Sequence, residues 1–147
     1  MRNPSEAVQQ HLRRLGMICV AILMGVVIFG GAVWYLLDSG SFSPPEGLPS
    51  YLSTLFNLVA LVAILKAYLL PRFFQRPPEA PEAPEEAWLA WHNRTTVVGF
   101  ALREAAAFIA LVGVLITGQK TGGFAMAGLA VLSMILAWPK SEHLDIS

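Results

Sequence analysis

The sequence contains a single cysteine, Cys19, so an internal disulfide and the usual cysteine metal sites are excluded, and no redox compartment can be read from it. Charge is also scarce. Only 14% of the residues are charged, and ten basic residues balance ten acidic ones, so nothing in the overall charge calls for nucleic acid as a partner. The three histidines, His11, His92 and His143, are scattered and never take the H-E-x-x-H spacing of a helical metal site, so no metal is expected. The apolar runs hold no second carboxylate to work with Glu104, and Ser133 has no base near it in sequence. The residues therefore predict no catalytic group, no cofactor and no enzyme.

What the sequence has in excess is apolar. At 55% hydrophobic and a mean hydropathy of +0.57, the chain lies outside the soluble globular class, and its first partner is the lipid bilayer. Four runs are long enough to count as spans, at about 15–37, 51–70, 96–117 and 121–138. The first exceeds the usual core of a signal peptide and shows no small-x-small cleavage site before Trp34-Tyr35, so it reads as mature structure. Asn3, Pro4 and Glu6 form a helix start ahead of it. Trp34, Tyr35, Trp88 and Trp91 stand at the edges of the runs, where amphipathic rings act as interfacial anchors. Residues 38–50 are turn-rich. Residues 71–86 carry half of the ten prolines and repeat Pro-Glu-Ala with the three-residue period of polyproline II, which reads as a solvated spacer. The prediction is an all-α, single-domain, integral membrane four-helix bundle made of two transmembrane hairpins.

Orientation follows from lysine and arginine. Arg2, Arg13, Arg14, Lys66, Arg72, Arg76, Arg94 and Lys140 fall at one side, against Lys120 at the other, so both termini and the proline-rich linker are expected in the cytoplasm.

Three charges interrupt the spans: Lys66, Arg103 and Glu104. A charge at the centre of a membrane helix costs about 2.5–3.5 kcal/mol on insertion scales, so each needs a reason. Counted down from the outer span ends, Lys66 and Glu104 lie at a common depth of roughly 21–22 Å, and a Lys66–Glu104 ion pair between antiparallel spans is expected. Arg103 lies about 100° around the helix from Glu104. The layer reads as a register-fixing ion pair, as an anionic-lipid or partner-helix site, or as the seat of a proton-carrying Glu104. Around Arg103 the third span carries a small-residue stripe, Gly99, Ala106, Ala110 and Gly113, suited to close helix packing.

The segment A-L-R-E-A-A-A-F-I-A-L-V-G-V-L-I-T-G, followed by a short turn, a fourth span and Trp138-Pro139-Lys140, resembles a family of small bacterial four-span membrane proteins with a carboxylate amid alanines. Spans two and three are also faintly similar to the c-type hairpin of proton-translocating ATP synthases. That resemblance implies Glu104 as proton carrier and Arg76-Pro77 in the basic loop. The second span lacks a Gly-x-Gly seam, and Arg103 abuts the acid, both departures from that pattern. The resulting expectation is an accessory, assembly or scaffold subunit of a larger complex in the bacterial inner membrane, with other membrane subunits or further copies as partners. The alternative is a proton- or ion-translocating unit built on Glu104.

Overall fold

In hydrocarbon no water is present to bond exposed backbone groups, so apolar runs of this length become helices that satisfy every N–H and C=O internally. A computed structural model describes residues 6–74 and 85–139. The Asn3-Pro4 start signal, the Pro-Glu-Ala repeat, Arg76-Pro77 and the polar tail lie outside the described residues. Among the described residues there are four helices: α1 (Glu6–Asp38), α2 (Tyr51–Phe74), α3 (Glu85–Thr117) and α4 (Lys120–Leu136). Among the described residues there is no strand.

Helices α1, α2 and α3 are long and apolar enough to cross a membrane. At 33 residues each, α1 and α3 run to roughly 50 Å and overshoot a hydrocarbon core of about 30 Å, so the Trp88–Thr95 approach to the third span is already helical. Helix α4 is shorter. Its 17 residues cover about 26 Å, and it stops at Leu136 instead of continuing to 138, where Pro139 forbids a further regular turn. The outward faces are inverted relative to a soluble protein. Met17, Met24 and Ile28 on α1, Leu55, Leu58 and Leu65 on α2, and Leu132 and Leu136 on α4 are all exposed, a surface matched to lipid tails.

Packing is organised by α3, which touches each of the other three helices. Its central apolar stretch is half buried, against about a fifth for α1 and α2. Small residues explain this. Gly99, Ala106, Ala110 and Gly113 are all buried, and they let neighbours approach the α3 backbone. Phe56 of α2 lies over Gly113, where an added methyl would sit 2.7 Å from the Phe56 Cβ. Val114 of α3 fills the place a Gly123 side chain would need, and the Ala110 carbonyl is 3.0 Å from the same point. On the third side, α1 runs parallel to α3: His11 meets His92, Gly25 meets Glu104, Phe29 meets Phe108 and Gly30 meets Leu111.

Helix α4 touches α1, α2 and α3, whereas α1 and α2 make no comparable contact. The cross-section is therefore a rhombus with α3 and α4 on the short diagonal and α1 and α2 at the far corners. The helices of the first hairpin therefore do not pack on each other. Helices α1 and α2 are consecutive in the chain, but the loop 39–50 is long enough to let each find the small-residue faces of α3 and α4 instead of the other.

The loop end is closed by local chemistry. Gly118 takes φ +70°, a left-handed conformation that ends α3, and its N–H donates to the Val114 carbonyl at 2.8 Å. Pro44 from the α1–α2 loop packs over that glycine. Lys120 lies 3.8 Å from Asp38 and 5.3 Å from the centre of the Trp34 ring, and Trp34 meets Phe124 edge-on. The pair joins the C-terminus of α1 to the N-terminus of α4, but both side chains are partly exposed, so it contributes no more than about 1 kcal/mol.

Candidate functional site

The candidate site is the charged level of α3, just past the midpoint of the helix. Arg103 and Glu104 are neighbours in sequence, and 100° of helix rotation sends them to different interfaces. Arg103 is buried at 4% exposure. Its side chain leans toward the N-terminus of α3, as helical side chains do, and Nη1 lies 2.8 Å from the point a Gly99 Cβ would occupy. Gly99 is therefore the floor of an arginine slot. The roof is Tyr68 of α2, with Cζ of Arg103 4.6 Å from the ring centre, a cation–π contact in a desolvated place.

The carbonyl of Ala67 also borders Gly99, 3.8 Å from the same Cβ point. Residue 71 is proline and lacks the N–H that would normally occupy this carbonyl four residues back. An acceptor is thereby left available beside the guanidinium. Nε of Arg103 is buried without a hydrogen-bond partner, and among the described residues no carboxylate lies within ion-pair distance of the group.

Glu104 faces α1. Its Oε1 is 3.7 Å from the position of a Gly25 Cβ, and the side chain is half-buried. Gly25 makes the room. The expected Lys66–Glu104 pair is not formed, for a topological reason: Glu104 points to α1 at one corner of the rhombus while Lys66 is on α2 at the other. Lys66 is exposed on the outer surface of α2. Among the described residues the one ion pair joins Asp38 to Lys120.

The stripe Gly99, Ala106, Ala110 and Gly113 is consumed inside the bundle, against α2 and α4. Of the four expected anchors, Trp34 and Tyr35 are exposed at the loop end, and Trp88 and Trp91 are half-buried and meet edge to face at 6.0 Å. At the same end Trp138 packs edge-on against Phe100, and Gly16 of α1 leaves space for its ring.

Four residues meet their neighbours in ways that sequence alone does not show. Tyr68 carries no signal except its place two residues beyond Lys66. In the sequence Gly25 stands four residues after Ala21, a spacing that reads only as a helix-packing patch. The His11 and His92 rings lie 5.8 Å apart across α1 and α3, a juxtaposition that needs the parallel register of those helices. Asn57, near the start of α2, reaches α4, its Nδ2 lying 2.9 Å from the place of a Gly122 Cβ. Among the described residues no three metal-ligating side chains cluster. In comparisons with protein families, curated proteins and solved structures, nothing matches the chain.

Proposed function

We propose that this chain is a small multi-pass accessory, assembly or scaffold subunit of a larger complex in a bacterial inner membrane, with both termini in the cytoplasm. The observation that supports this reading is the back of α3. Ala101 and Ala105, with Val112 in line below them, form a shallow strip that none of the other three helices covers, on the membrane-spanning part of a helix whose other faces meet α1, α2 and α4. Small residues let a further helix approach closely, and in lipid such packing is what drives helix association. The cytoplasmic placement of the termini rests on the eight-to-one distribution of lysine and arginine.

The native mass of the protein, extracted from its own membranes in mild detergent, tests the proposal. A particle heavier than the 16.0 kDa chain and containing other polypeptides is the expected result. A single-component particle would sink it.

One observation favours a second reading, in which Glu104 is the working carboxylate of a proton- or ion-translocating unit. Glu104 stands against Gly25 with no cation within pairing distance among the described residues, since Lys66 and Arg103 are both turned away from it. Under this reading Glu104→Gln abolishes ion flux in reconstituted vesicles while the yield of folded protein is unchanged. Undiminished flux, or no flux in the parent protein, removes the reading.

A further inference from the structure

The two charges that fail to meet within one chain are placed to meet between two. Asn57 on α2 points at α4, and Lys66 lies nine residues further on, about two and a half turns, so it projects from the flank of α2 opposite α4. On α3, Ala110 faces α4 at Gly123, and Ala101 lies nine residues before it, so the exposed strip of Ala101 and Ala105 also faces away from α4. Lys66 and the alanine strip therefore share one side of the molecule. They also share a level. Tyr68 stacks on Arg103 and the Ala67 carbonyl borders Gly99, which brings Lys66 beside the 101–105 stretch of α3. Glu104 lies in that stretch, on the opposite edge of the strip, toward α1.

This side of the bundle thus has an alanine floor, a lysine on one flank and a half-buried glutamate on the other, all at one depth. Rotation by a half-turn about an axis along the membrane normal keeps depth and exchanges flanks. We infer that two copies of this chain associate through the back of α3, with Lys66 of each copy paired to Glu104 of the other. A surface carrying opposite charges on its two flanks is complementary to itself under a two-fold axis, which is the condition for a closed homodimer. Both charges, unpaired among the described residues, are then answered by one contact, and the alanines allow the two α3 helices to approach. The dimer rests on the uncovered face of α3 and requires no other subunit.

The test uses the full chain with Cys19→Ser, reconstituted in lipid vesicles. Single cysteines at Ala101→Cys and Ala105→Cys are expected to cross-link on oxidation into a species of two chains, and Leu132→Cys on the exposed face of α4 is not. Lys66→Glu and Glu104→Lys should each weaken association about tenfold or more, and the double variant carrying both should restore it to within about twofold. Restoration by the swap separates an intermolecular pair from a general loss of folding. Absence of cross-linking at both alanines, or equal cross-linking at Leu132→Cys, would overturn the dimer even if a charge variant failed to fold. Cross-linking of either alanine cysteine to a different polypeptide in native membranes, with the purified chain monomeric, would overturn self-association and leave the subunit reading standing. A monomer reached by no polypeptide would remove both.

Discussion

Gly123→Ala is expected to destabilise the bundle by roughly 1–3 kcal/mol, while Gly128→Ala, one and a half turns on in the same helix, has no adverse effect. The added methyl at Gly123 falls on the Val114 side chain and within 3.0 Å of the Ala110 carbonyl. Neither can yield. Valine in a helix has one strongly preferred rotamer, Val114 and Ala110 are both fully buried, and a carbonyl moves only with its helix. Relief requires α4 to separate from α3 along the short diagonal of the rhombus, which also loosens Trp138 from Phe100. Gly113→Ala acts in the same way on α2, because the contacts there are the Cβ and Cγ of Phe56, the root of that side chain rather than its tip. At Gly128 and Gly31 nothing lies within 4 Å, so a methyl is accommodated and the intrinsic helix propensity of alanine is gained. Thermal unfolding in detergent, followed by helical circular dichroism, distinguishes the two classes. Equal midpoints for Gly123→Ala and Gly128→Ala would show that the α3–α4 seam is not as close as described.

The second large effect concerns a buried cation with no acid within pairing distance among the described residues. Arg103→Met is expected to raise stability by about 1–3 kcal/mol, since methionine fills similar volume without the cost of holding a charge away from water. Tyr68→Leu should lower stability by about 0.5–2 kcal/mol when Arg103 is present, by removing the aromatic face over the guanidinium, and by much less in the Arg103→Met background. The interaction energy of this double-mutant cycle is the measurement that matters. If the two changes simply add, Tyr68 is packing and not a cation partner. A stabilised Arg103→Met protein that no longer associates or functions would identify Arg103 as a residue kept at the expense of stability.

Much of this was legible from residues alone. The apolar runs, the turn at 38–50 and Gly118 lead directly to four helices, and the exposed rings of Trp34 and Tyr35 follow from their place at a run's end. The register that sets Lys66 beside the 101–105 stretch of α3 was also legible, because it is only a count of residues at a fixed rise from the ends of two antiparallel runs. Which side chains would touch was not. The 3.6-residue period states that Arg103 and Glu104 diverge by 100°, but it does not state which helix stands in either direction. The expected ion pair failed because it assumed that α2 lies on the Glu104 side, whereas α2 lies on the Arg103 side and α1 takes the other.

The sequence by itself determined that this chain forms long apolar helices, because a backbone in hydrocarbon must satisfy its hydrogen bonds within its own segment. Tertiary structure alone decided their neighbours. Lipid matches the outer apolar side chains of the helices about equally well, so helix order is set by where backbones can approach most closely, at Gly99, Gly113 and Gly123. That choice made α3 the hub, kept α1 and α2 apart, buried Arg103 beneath Tyr68, and left Lys66 and Glu104 without an ion-pair partner among the described residues.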